Sequence, residues 1–274
     1  MLFLFLLMNV LASAQSEIRG DSVLQLTEGF KHRLIYKLSS PEREVAAHLF
    51  SMEVQPQNKV RFVSRKLFQG DFNYTSIEEQ CRQQGKEIVL QVAAAFTPDW
   101  NVIEGFALQQ GKKVGQDSFP GQNSKLPYKG ILVIKKGLPF FTHLDSIKFP
   151  DNFVEKARSE QWSLFLQAAP IVKGKLDTFL ILPGSHKRRF FVEFEADKKE
   201  FGVVTFLNKT TYLQAVKIMY GQKDYGINIK NAVYLDMGSV SQGYVYDKNG
   251  KKYLIGNPGT FMHKYTNMLV MNRE

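Results

Sequence analysis

Short apolar runs of strand formers, each closed by a turn signal, follow one another along most of this chain, and that punctuation limits what it can fold into. Runs this short cannot build long helices; they direct the chain into sheets assembled from hairpins. Residues 130–141 make one hairpin about Lys135-Lys136-Gly137, residues 189–207 another about Asp197-Lys198-Lys199, and residues 244–255 a third about Asp247-Lys248-Asn249-Gly250. The same reading predicts strands over 22–37 with a break at Gly29, and an antiparallel pair, 45–54 and 59–67, across the turn 55–58. Buried strands are expected over 87–96, 102–112, 227–235 and 162–172, the last interrupted at Ala168-Ala169-Pro170. Ser76 followed by Glu79 reads as a capping box, so a helix is expected over 76–84 with Gly85 as its stop. Further short helices are expected over 151–160 and 210–220. Residues 113–129 read as a loop, and the tail beyond Asn257-Pro258-Gly259 receives no assignment. The expected fold class is α+β, a mixed, largely antiparallel sheet with a few short helices. With no linker or internal repeat to divide the chain, one domain is expected over 15–274.

Ahead of that domain, Leu2 to Leu11 is apolar except for Asn9, and Ala12-Ser13-Ala14 supplies small residues at the spacing of a signal-peptidase site. A bilayer needs roughly 20 apolar residues, so residues 1–14 read as a cleaved export signal rather than a span. No later stretch is long and apolar enough to cross a membrane. A periplasmic or secreted protein is therefore expected. Cys81 is the only cysteine, so no disulfide supports the fold and the apolar core must do so. Lys and Arg number 36 against 26 Asp and Glu, a net charge of +10, which favours anionic partners. The densest basic cluster is Lys187-Arg188-Arg189, and no Lys/Arg tract interleaved with aromatics appears, so nucleic acid is not the expected partner.

Chemistry concentrates in Asn231-Ala-Val-Tyr-Leu-Asp236 and the Gly, Ser and Gln residues that follow as far as Gly243. An apolar strand stops on a carboxylate, and a small-residue loop begins. Two readings are open: Asp236 is a site acid fixed by its strand, or it caps the loop. The five histidines are scattered, with no spacing typical of zinc ligands, and neither a nucleotide-binding glycine loop nor a Gly-x-Ser-x-Gly elbow occurs. No metal or cofactor is expected.

Four segments, in order, resemble the phosphodiester glycosidase family over roughly residues 85–245. Asn231 to Asp236 is similar to that family's Asn-Ala-(Leu/Val)-Tyr-Leu-Asp strand. Gln167-Ala-Ala-Pro-Ile-Val-Lys-Gly-Lys175 resembles its Gln-(Ser/Ala)-Gly-Pro segment. Residues 92–112 resemble the segment that runs through Pro-Asp to Gly-Lys, and Arg188 or Arg189 stands where the family has an Arg ahead of a hairpin. The chain departs from the pattern at Ala93-Ala94-Ala95, where the family has an Asn among glycines. It departs again at Met237 and at Ala169, where glycines are usual. The resemblance implies a phosphodiester-glycosidase-like fold and hydrolysis of a glycosyl phosphodiester or related surface polysaccharide. Asp236 would then be the catalytic carboxylate, with phosphate on Arg188 or Arg189. Gly238, Ser239 and Ser241 would contact substrate, and Phe96, Asp99 and Glu104 would complete the site, the two acids as candidates for a second carboxylate. The departures leave a second reading open: a non-catalytic relative that binds an anionic glycan or a protein partner.

Overall fold

The computed structural model describes residues 16–18, 20–38, 42–97, 102–120, 128–177, 183–235, 242–256 and 266–274; the expected leader, 1–14, lies outside them. Seven strands form the largest sheet, in the spatial order Lys175–Leu176, Ile171–Val172, Asn228–Tyr234, Arg189–Glu195, Lys199–Phe206, Val45–Glu53 and Phe30–Tyr36, every pair antiparallel. A six-stranded sheet runs Ser16–Glu17, Lys252–Ile255, Gly243–Tyr246, Glu87–Ala93, Asn267–Arg273 and Asn58–Ser64, with only Ser16–Glu17 parallel to its neighbour. A five-stranded antiparallel sheet runs Lys112–Lys113, Ala107–Gln109, Ser163–Gln167, Gly130–Lys135 and Leu138–His143. Three α-helices occur among the described residues, α1 (Tyr74–Gln83), α2 (Pro150–Ser159) and α3 (Tyr212–Gly221). The α+β class expected from the sequence, largely antiparallel with short helices, is the one observed.

Each sheet buries both faces. Inward, all three contribute to one apolar core: Phe50, Phe191 and Val203 from the largest sheet, Phe62, Leu90 and Leu269 from the six-stranded one, Leu132 and Phe165 from the five-stranded one. Outward, each is covered by one helix. Ala215, Val216 and Met219 of α3 pack on Phe190, Val192 and Phe194; Ile77 and Cys81 of α1 pack on Met268 and Val270; Val154 and Ala157 of α2 pack on Val133 and Leu164. Two-sided burial explains why these antiparallel strands read as continuous apolar runs instead of alternating. Each fully buried Phe or Leu contributes roughly 1.5–3 kcal/mol of transfer free energy. Cys81 belongs to this packing, and burial raises its thiol above the ordinary range.

Several local expectations are corrected. The 45–54 and 59–67 segments do not pair with each other. Both edges of Val45–Glu53 are taken, by Phe30–Tyr36 and by Lys199–Phe206, and Asn58–Ser64 crosses into the six-stranded sheet. The Asn58 amide holds that crossing by donating to the carbonyls of Gly29 and Glu53, each at 3.2 Å. The unassigned tail contains Asn267–Arg273, an interior strand of the six-stranded sheet. The break at Ala168 to Pro170 moves the chain from the five-stranded sheet to the largest one. Helix α1 is capped by Asn73, whose side chain accepts from Ser76 N at 2.8 Å. The capping box occurs instead on α3, between Thr211 and Gln214.

On the helix-covered face of the largest sheet, Glu200 is buried, with a 1% exposed side chain. It accepts from Arg33 through both oxygens, at 2.6 and 2.7 Å, and from Ser51 at 2.7 Å. Burial alone would raise the carboxyl; the bonds from Arg33 and Ser51 outweigh it and hold the group below its ordinary value of 4.5. A lowered carboxylate stabilises the fold above its ordinary range, and that stability is lost as pH falls through the folded-state value. Glu200→Gln is expected to cost roughly 3 kcal/mol at pH 7 in chemical denaturation. The gap to the wild type should close as pH drops below 4.5; a gap independent of pH would disprove the ionic account.

Candidate functional site

The strand that leads to Asp236 is fixed on both sides at its end. Leu235 N donates to the Arg189 carbonyl at 3.0 Å, and Tyr234 N donates to the Ala168 carbonyl at 2.8 Å. Ala168-Ala169-Pro170 therefore packs beside this strand end. Gly130 makes the packing possible: a Cβ there would overlap the Ala169 methyl and stand 2.9 Å from the Gln167 carbonyl. Asp236, Gly238, Ser239, Ser241 and Asp99 lie outside the described residues.

Arg188 and Arg189 are both buried, 2% and 0% exposed, and face opposite ways. Strand alternation sends Arg188 to the helix-covered face with Phe190, and Arg189 to the shared core with Phe191. The Arg188 guanidinium donates to the carbonyls of Gly184 (2.8 Å), Pro183 (3.2 Å) and Thr210 (3.3 Å) and to the Tyr234 hydroxyl (3.0 Å). It also stands 5.6 Å from the Tyr234 ring centroid and 6.0 Å from that of Tyr212. Burial first, then nearby Asp177 and Tyr234, push the Tyr212 hydroxyl well up, against the pull of Arg188. Arg189 donates to the Ile255 carbonyl at 3.4 Å, which ties the largest sheet to the six-stranded one.

Phe96 and Glu104 come together through a backbone bond, Glu104 N to Phe96 O at 2.9 Å. Both are half-buried. One Glu104 oxygen, Oε2, is buried without a partner among the described residues. Burial raises the Glu104 carboxyl, and the charge of Asp117 adds to this. A carboxyl that tends to keep its proton is suited to donate one. Just upstream, Ala94 and Ala95 are closed into the core. The buried Asn267 amide accepts from Ala95 N at 2.6 Å and donates to Ala95 O at 3.1 Å, acting as a strand partner where the ladder ends.

A groove of about 360 Å³ opens beside the same crossover, lined by Gly130, His143, Ala169, Lys173 and Asn231 among others. Of these, sequence reasoning had not singled out Gly130, His143 or Lys173 as functional, and nothing in their local patterns marks them. It also treated the histidines as scattered, whereas His32 and His48 meet at 2.7 Å across neighbouring strands. Among the described residues no group of three or more His, Cys, Asp or Glu could hold a metal ion, and no helix is long and apolar enough to cross a membrane.

No protein-family model and no curated protein matches the chain. Among solved structures, two distant likenesses of fold are found. The fold resembles the zebrafish N-acetylglucosamine-1-phosphodiester alpha-N-acetylglucosaminidase catalytic domain auto-inhibited by its pro-peptide, with a TM-score of 0.50 and 13% identity over 95% of this chain and 87% of that one. A hypothetical protein from Synechocystis matches with a TM-score of 0.52 and 10% identity, over 93% of this chain and 65% of its own. At these identities the likeness is one of fold.

Asn267 is the side chain that holds the backbone of Ala95, next to Phe96. Asn267→Ala would leave the N–H and C=O of buried Ala95 without their partner, at a cost of about 2–3 kcal/mol. Thermal denaturation together with amide exchange at Ala95 checks this; unchanged protection at Ala95 would refute it.

Proposed function

We propose that the chain is an exported glycosidase-like protein, one domain over residues 15–274 behind a cleaved leader, that hydrolyses a glycosyl phosphodiester or a related surface-polysaccharide linkage. The observation that carries this reading is the likeness of fold to the zebrafish phosphodiester glycosidase domain. The Asn231–Asp236 motif adds to it, because the strand before Asp236 is bonded on one side to the backbone of Arg189 and on the other to Ala168. In this reading Asp236 acts at the anomeric carbon. The bond from that carbon to the phosphate oxygen breaks, water supplies the new hydroxyl, and phosphate leaves as a monoester. Positive charge from Arg188 or Arg189 offsets the charge gained by the leaving group. Gly238, Ser239, Ser241, Phe96 and Asp99 contact the substrate. Glu104, with its raised carboxyl, is the second acid and protonates where the leaving group needs it.

A second reading rests on the closure of Ala94 and Ala95 into the core and on the internal bonds of Arg188. It makes the protein a non-catalytic relative that holds an anionic glycan or a protein partner. One assay separates the two: release of N-acetylglucosamine from a phosphodiester substrate. Asp236→Asn is expected to lower the rate by roughly 10²–10⁴-fold. Glu104→Gln should be slower and should also lose the fall in rate that the wild type shows as pH rises through the raised Glu104 value. Equal background rates for the wild type and Asp236→Asn would remove the enzyme and leave the binding protein.

A further inference from the structure

A line of polar side chains crosses the core-facing side of the largest sheet, where only apolar ones would be expected. Register sets Arg189 opposite Thr205, and Thr205 opposite His48. They are 0%, 3% and 1% exposed. The hydrogens on the histidines follow from one backbone donor. Leu24 N–H donates to His32 Nδ1 at 2.8 Å, so the His32 hydrogen sits on Nε2. That nitrogen lies 2.7 Å from His48 Nδ1 and donates to it, which leaves the His48 hydrogen on Nε2. Burial keeps both rings neutral at ordinary pH, lowering His48 to about 4 and His32, with help from His48, to about 3.

The chain of bonds ends without an acceptor. Among the described residues neither His48 Nε2 nor Thr205 Oγ1 has a partner, and an unpaired buried donor is costly. Both residues line a cavity of about 150 Å³ between the two larger sheets. Leu254, Ile255 and Gly256 form its far wall, and Lys187, Glu17 and Ile18 lie along its border. Arg189 reaches the same wall through the Ile255 carbonyl. A water molecule needs on the order of 10–15 Å³ of such space, so one bridging water does not fill it. The polar lining is mostly donors: an imidazole N–H, a hydroxyl and the Lys187 ammonium, with Arg189 adjoining. Among the described residues that line it, exposed Glu17 is the single carboxylate.

We propose that this cavity binds a phosphate group, with His48 Nε2–H and Thr205 Oγ1 as its direct ligands and Arg189 and Lys187 as its countercharge. A neutral imidazole locked as a donor favours an oxyanion, which offers acceptors, over a cation. The site stands whether or not Asp236 is catalytic.

Titration calorimetry with inorganic phosphate, at ionic strength matched with chloride, tests it. Saturable binding is expected, and Thr205→Val, which conserves volume, should weaken it at least about tenfold. Should His48→Phe fail to fold, imidazole nitrogen NMR of the wild type still decides. His48 should show its hydrogen on Nε2, and that signal should move with phosphate. Glucose 6-phosphate, too large for a cavity of about 150 Å³, should bind more weakly than inorganic phosphate. No binding at millimolar phosphate, equal affinity in Thr205→Val, a His48 hydrogen on Nδ1, or a preference for glucose 6-phosphate would each overturn the assignment.

Discussion

Two-sided burial of the central strands is the constraint on which the rest of this structure depends. Arg189–Glu195 lies between Asn228–Tyr234 and Lys199–Phe206, with the shared core on one face and α3 on the other. A strand so placed has no solvent side, so its period of two separates one interior from another. Two adjacent arginines thereby enter different compartments. One is satisfied by backbone carbonyls and a tyrosine hydroxyl; the other joins a polar line inside the core. Placing a guanidinium in either setting is costly unless its donors are met. The positions of Gly184, Thr210 and Ile255 are thus part of the same solution as the arginines.

Much of this architecture was legible in the sequence because it is local. Turn residues such as Lys135-Lys136-Gly137 and Asp247 to Gly250 fix hairpins by their own backbone preferences, and the observed strands fall where those turns demand. Helices α2 and α3 likewise follow from nearby signals. What was not legible depends on partners distant in sequence. A run such as 45–54 can pair with either neighbour, and nothing within it says that Phe30–Tyr36 and Lys199–Phe206 will occupy both edges. That one mispairing also hid the His32–His48 contact, since it joined 45–54 to the wrong strand. The Asn267–Arg273 strand was hidden for a related reason: its apolar core, Met268 to Met271, is too short to declare itself without neighbours.

For the site, the sequence identified residue types and not their burial. Arg188 and Arg189 stand in the densest basic cluster of the sequence, and only alternation inside a covered sheet reveals both as interior. Glu104 was one of two acids of equal standing. Its carboxyl, raised by burial and by the charge of Asp117, now distinguishes it chemically. Ala93 to Ala95 looked like the loss of a ligand-binding turn. In the fold, Ala94 and Ala95 are core, and a distant asparagine meets the backbone they free.

That asparagine has a consequence in time. Asn267 meets Ala95 across 172 residues of chain, and the strand it opens separates two others that were made long before it. Until the final strand arrives, Glu87–Ala93 and Asn58–Ser64 each present an unpaired edge, and the core they share with the other sheets stays open. Closure over such a span is entropically expensive and slow. Pairing along both of those edges thus depends on a segment far along the chain, and the cost of bringing it back is part of the cost of closing the core.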